Sequence, residues 1–136
     1  MEFLTKQVIV NFSGGKDSSA CLIWAKERFS LNQIIAIYSD IDVALPTIKE
    51  FVIQFCEEQQ IKLEIIKPKY SFLELLPQKG FPKWKFPWCK KLLINDCLDE
   101  FVSKFEPCST LRIIGGNRFQ KPKWVNRYRL TRLKGF

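Results

Sequence analysis

The chain has 136 residues, 46% of them apolar, and a formal net charge of +8. That length and apolar share suit one domain over residues 1–136 with a real core, and they exclude an intrinsically disordered chain. The absence of histidine excludes Ser-His and Cys-His catalysis and any histidine-ligated metal, and five cysteines with no Cys-x-x-Cys exclude zinc-finger and iron–sulfur spacings.

No apolar run approaches the roughly 20 residues of a membrane span, and the N-terminus enters a strand without a signal-peptide pattern. No membrane contact and a cytoplasmic location are therefore expected. The charge is uneven: residues 1–111 hold 14 basic and 14 acidic side chains, whereas 112–136 hold eight basic ones and no acid. The partner of that basic C-terminal segment is expected to be an anion, with a merely solubilising tail as the alternative.

In chain order, Gln7–Asn11 reads as a short buried strand, and Asp17–Phe29 as a helix whose Cys21 serves packing. Between them lies Asn11-Phe12-Ser13-Gly14-Gly15-Lys16-Asp17-Ser18-Ser19. A strand, a glycine turn and a helix N-terminus make an anion site, because unpaired N–H groups and the positive end of the helix dipole share one hollow. Gly14 and Gly15 can take positive φ and let a phosphate approach the backbone. Ser13 and Ser18 add hydroxyls, Lys16 adds a cation, and Asp17 can cap the helix.

Ile34–Tyr38 is a second apolar strand, broken by Asp40, Asp42 and Pro46; a helix opens at Pro46, with Ile48, Phe51, Val52 and Phe55 at helical spacing and Cys56 as a packing residue. Lys62–Ile66 is a third strand and Ser71–Leu76 a short helix. Residues 77–88 carry three prolines, Gly80 and Trp84, a loop long enough to be functional. A helix over Lys90–Phe105 and a fourth strand over Leu111–Ile114, ending at Gly115-Gly116, complete the pattern.

Alternating strands and helices of this kind predict an α/β fold, a Rossmann-like three-layer sandwich with a central parallel sheet. Ligands bind beyond the carboxyl ends of such strands. The glycine loop, the 38–42 turn and Gly115-Gly116-Asn117-Arg118 all fall at that edge.

Ser13-Gly14-Gly15-Lys16-Asp17-Ser18 resembles the pyrophosphate-binding loop of the adenine nucleotide α-hydrolase (PP-loop ATPase) superfamily. It is not a Walker loop, which needs four residues between its glycine and a Gly-Lys-Ser/Thr. Within the superfamily the chain looks nearest the phosphoadenosine phosphosulfate (PAPS) reductase-like branch. Ile37-Tyr38-Ser39-Asp40 with Pro46, Gly80-Phe81-Pro82, Trp88-Cys89 and Gly116-Asn117-Arg118 are similar to segments of that branch. The departures are Asp40-Ile41-Asp42 in place of an Asp-Thr-Gly turn, Ile94 where a lysine is usual, and no Glu-Ser after Arg118. The sequence also ends at Phe136 without a Glu-Cys-Gly-type redox motif, so a complete reductase is not expected.

The resemblance implies the HUP-type nucleotide α-hydrolase fold and a loop that holds the β,γ-phosphates of ATP, or the equivalent anion of PAPS. Ser13, Gly14, Gly15, Asp17 and Ser18 would form the cradle, with Tyr38, Ser39 and Asp40, and Gly115 and Gly116, as further nucleotide-binding positions. Lys16, Ser18 and Arg118 are the catalytic candidates, and Asp17 and Asp40 the candidate Mg²⁺ ligands. Backbone groups of Ile37–Ser39 would read the adenine edge. Trp88 and Cys89 either line the substrate or anchor a helix start by packing.

The leading expectation is ATP cleavage to AMP and pyrophosphate with transfer to an unknown acceptor. One alternative is a PAPS-binding protein acting with a partner or thiol. Another is a non-catalytic module binding RNA or DNA through the basic segment, where Phe119, Trp124, Tyr128 and Phe136 interleave with the cations. A homo-oligomer or a partner subunit fits the short chain.

Overall fold

The computed structural model describes residues 5–115 and 129–133. Five strands, β1 (Gln7–Asn11), β2 (Ile34–Ser39), β3 (Lys62–Ile66), β4 (Thr110–Gly115) and β5 (Arg129–Leu133), form one sheet in the order β3-β2-β1-β4-β5. Every pairing is parallel, so this is an α/β Rossmann-like arrangement. The helices are α1 (Lys16–Arg28), α2 (Pro46–Gln59), α3 (Phe72–Lys79) and α4 (Asp96–Val102), the last continuing a π-helical segment, Lys90–Asn95.

Alternation along the strands divides the core. Val8 and Val10 of β1, Ala36 and Tyr38 of β2, and Leu111 and Ile113 of β4 pack with Cys21, Leu22 and Ala25 of α1 and Val52 and Cys56 of α2. Ile9, Ile35 and Ile37 point the other way, onto Leu98 and Val102 of α4. Period-two strands buried on both faces need helices on both faces, which produces three layers.

The structure corrects several expectations. A fifth strand lies within the basic segment: Arg-Leu-Thr-Arg-Leu has a strand's alternation, but its charge hid it, and Leu111↔Arg129 to Gly115↔Leu133 pair it with β4. Arg112, counted with the basic tail, sits in β4 with a side chain only 2% exposed; it donates through Nε to Asn11 Oδ1 (3.2 Å) and through Nη1 to Asp99 Oδ1 (2.5 Å).

The short helix α3 runs through Pro77 to Lys79. Ser71 Oγ accepts from Glu74 N–H and Glu74 Oε2 from Ser71 N–H, a reciprocal cap that starts it, while Gly80 at φ +70° ends it. Asp42 reinforces that start, accepting from the N–H groups of Phe72 (2.7 Å) and Leu73 (3.3 Å). The helix expected to reach Phe105 stops at Val102, where Lys104 and Phe105 bond back three residues to Phe101 and Val102 in a tighter turn.

Burial raises the thiols of Cys21 and Cys56 to about 11, Cys21 being further raised by the carboxylate of Asp17. Between the ordinary thiol value of 9.0 and 11, the unfolded chain releases protons that the folded one keeps. Their contribution to stability is therefore complete below pH about 9 and is lost as pH rises towards 11. Urea unfolding across that window should show a decline that the Cys21→Ala/Cys56→Ala variant reduces.

Candidate functional site

The strand order reverses beside β1, with β2 and β3 on one side and β4 and β5 on the other. In a sheet of this order a crevice is expected at the carboxyl ends of β1 and β4. A cleft of about 470 Å³ occupies that place. Its walls come from Asn11, Phe12, Ser13 and the run Gly15 to Ser18, from Ile37, Tyr38 and Ser39 of β2, from Ile114 and Gly115 of β4, and from Lys90, Ile94, Asn95 and Leu98, whereas Gly14, expected in the cradle, is not among the lining residues.

The glycine loop is built from two unlike glycines. Gly14 has φ +87°, and a Cβ there would meet Val52 Cγ2 at 3.3 Å and Ile48 Cγ2 at 3.4 Å, so it supplies the turn and packs under α2. Gly15 was expected to share the positive φ but stands at φ −80°, ψ 168° as the residue before α1. Its missing side chain leaves open room, with only Ser13 Oγ near, at 3.8 Å from where a Cβ would be.

Asp17 does not cap the helix: it lies inside the first turn, and no side chain caps α1. The first-turn N–H groups thus have neither an intrahelical acceptor nor a side-chain cap. Ser18 is buried; its hydroxyl accepts from Ser13 N–H (3.3 Å) and donates to the Gly15 carbonyl (3.1 Å), which also receives Ser19 Oγ at 2.8 Å. The serines fasten the loop, while Lys16 stays exposed at its rim.

Gly115 closes the other side. A Cβ on it would lie 3.0 Å from Asp17 C and 3.1 Å from Ser18 N, so the end of β4 touches the backbone of α1. Asp17 lines the cleft, and its Oδ1 is buried with no hydrogen-bond partner among the described residues. Leaving a carboxylate oxygen so exposed to desolvation is costly unless a cation or donor occupies the site.

The other candidates separate. Asp40 is paired with Lys49 Nζ at 2.9 Å and is not among the lining residues. Among the described residues no group of three His, Cys, Asp or Glu side chains gathers that could hold a metal unaided. Tyr38 and Ser39 line the cleft; burial and the negative charge of Asp40 raise the Tyr38 phenol above its usual range, and Lys49 partly offsets this. Ser39 Oγ donates to the Leu93 carbonyl (2.5 Å), tying β2 to the π-helical segment. The Ile37 carbonyl already accepts from Phe12 N–H at 2.9 Å.

Trp88 and Cys89 are not among the lining residues. Trp88 instead stacks on Phe72 at 5.2 Å and donates from Nε1 to the Gly80 carbonyl at 3.0 Å, which is the packing alternative. Gly116 and Arg118 lie outside the described residues.

Residues the sequence reading missed are Asn11, Lys90, Asn95 and Leu98. Arg112 can donate only to the amide oxygen of Asn11, which leaves the Asn11 NH₂ as the donor at the cleft wall. Lys90 and Asn95 arrive through the π-helical segment, whose register shift has no sequence pattern.

A crevice at the switch point of a parallel sheet, floored by bare helix amides, defines a nucleotide-binding domain of the α/β class. The family model of the phosphoadenosine phosphosulfate reductase domain matches residues 7–134. The chain belongs to that family, a branch of the PP-loop adenine nucleotide α-hydrolase superfamily. No curated protein matches the chain. Among the described residues no helix is long and apolar enough to cross a membrane.

The two glycine contacts give opposite expectations. Gly115→Ala forces backbone against backbone and should cost roughly 1–3 kcal/mol, as overpacking does. Gly15→Ala meets open space at an ordinary φ and should melt like the parent. Thermal unfolding of the two variants checks both.

Proposed function

We propose that the cleft binds ATP with its terminal phosphates on residues 13–18 and cleaves it between the α and β phosphates, passing the adenylyl group to an acceptor. Family membership supports adenine-nucleotide or sulfonucleotide binding. What favours ATP with Mg²⁺ over a metal-free anion is Asp17, a residue of the cleft wall whose Oδ1 is buried with no hydrogen-bond partner among the described residues. A carboxylate beside an anion cradle repels its ligand unless a cation offsets the charge.

The donor set fits Mg²⁺, which takes one or two carboxylates and completes its shell with water and phosphate oxygens. Asp17 would hold it; Asp40 would have to leave Lys49 to join. When bound, the ion neutralises phosphate charge and so favours departure of pyrophosphate.

The chain's own groups do the rest. First-turn amides of α1, with Gly15 admitting close approach, receive the terminal phosphates. Lys16 at the rim balances charge as the bond from the α-phosphorus to the bridging oxygen breaks, the electron pair leaving with pyrophosphate, while the acceptor's nucleophile bonds to that phosphorus. Asn11 NH₂ and Lys90, both residues of the cleft wall, supply further donors. Gly116 and Arg118 remain proposed contacts from the segment that follows β4.

A second reading, PAPS held by the same loop and acted on with a partner or thiol, is favoured by the family match. Calorimetric titration with ATP plus Mg²⁺, ATP plus chelator, and PAPS separates the two. The ATP reading expects tight binding only with Mg²⁺, and Asp17→Asn to weaken it about tenfold, near 1.4 kcal/mol. Preferred, metal-independent PAPS binding overturns it. Lys16→Ala should slow pyrophosphate release about 10²-fold or more, the usual cost of losing one charge-stabilising donor.

A further inference from the structure

From Lys79, the last residue of α3, the connection to α4 runs through Lys83, Lys85, Lys90 and Lys91, with no acidic residue between them. It also exposes three rings: Trp84 is 95% exposed, Phe81 78% and Phe86 74%. Rings left in water contribute nothing to the core, and such patches mark binding surfaces.

This connection is held in shape. Phe86 N–H donates to the Lys83 carbonyl (2.9 Å) and Lys83 N–H to the Phe86 carbonyl (3.4 Å), closing a tight turn with Trp84 and Lys85 at its tip. Trp88 fixes the base: its N–H donates to the Phe86 carbonyl (2.8 Å), its indole to Gly80, and its ring stacks on Phe72. Pro82 and Pro87 restrict the backbone further. A ring displayed on such a turn loses little freedom when a ligand covers it.

We propose that this turn is a docking surface for single-stranded nucleic acid, with bases stacked on Trp84, Phe81 and Phe86 and phosphates met by Lys83 and Lys85. Charge decides the occupant. Lysine is depleted at the centres of protein–protein interfaces, yet here it flanks Trp84 on both sides. A membrane-surface anchor separates its apolar face from its charged one, whereas this turn alternates them residue by residue. Ring, cation, ring is the arrangement that a strand of stacked bases and intervening phosphates satisfies, whatever its sequence. The proposal is independent of how the cleft is used, since none of Phe81, Lys83, Trp84, Lys85 and Phe86 lines it.

The test is fluorescence anisotropy of the full chain with labelled single-stranded RNA and DNA oligonucleotides of mixed sequence, at several salt concentrations. Trp84→Ala should weaken binding about tenfold, in line with the loss of one stacked base. Lys83→Gln/Lys85→Gln should flatten the slope of log affinity against log salt by roughly 1.4, two phosphate contacts' worth. Melting temperature and nucleotide binding in the cleft should not change, because these side chains are exposed and off the cleft wall. Absence of oligonucleotide binding overturns the proposal, as does wild-type behaviour of either variant, which would assign binding to another basic segment. Trp84-dependent binding to phosphatidylcholine/phosphatidylserine vesicles, or Trp84-dependent self-association on gel filtration, without oligonucleotide binding also overturns it.

Discussion

The backbone of Gly115 lies so close to that of Asp17 and Ser18 that a single methyl group would not fit between them. That contact sets how near the end of β4 comes to the first turn of α1, and so the width of the crevice between them. Everything at the site inherits this spacing. The amides of α1 stay uncapped, Asp17 Oδ1 stays buried without a partner among the described residues, and Ser18 is turned inward to brace the loop.

The two layers of helices divide the labour around that point. On one face α1 and α2 pack through Cys21, Leu22, Val52 and Cys56, and Gly14 lets the loop lie against α2 with no side chain of its own. On the other, Ser39 fastens the π-helical segment to β2 and Arg112 joins β4, Asn11 and Asp99. A buried arginine is tolerable because its donors meet an amide oxygen and a carboxylate. Its effect on the site is indirect: it orients Asn11 at the cleft wall. Arg112, Ser39 and Ser18 thus bond within the protein, whereas no side chain caps the first-turn amides of α1.

Much of this was legible in order along the chain. Continuous apolar runs announced β1, β2 and β4, and Ser-Gly-Gly-Lys-Asp-Ser between a strand and a helix located the turn at the cleft. Other features were hidden for identifiable reasons. The strand Arg129–Leu133 was masked by its charge, because alternation and a basic run coincide. The helical continuation through Pro77 was concealed because a proline normally ends a helix, and here a reciprocal cap at Ser71 and Glu74 supports it. Trp88 read equally well as a substrate wall or an anchor, and only its stacking on Phe72 separated the two.

By itself the sequence determined the layered α/β architecture, the place of the loop and the family, since these rest on local pattern and short-range backbone preference. Tertiary structure alone decided which groups meet. It sent Arg112 inward rather than into a basic tail, gave Asp40 to Lys49 while leaving Asp17 Oδ1 without a partner among the described residues, and brought Lys90 and Asn95 to the cleft. Such pairings join residues on different elements, as Arg112 of β4 joins Asn11 of β1, and their partners are chosen by sheet order and by a helical register that no local pattern encodes.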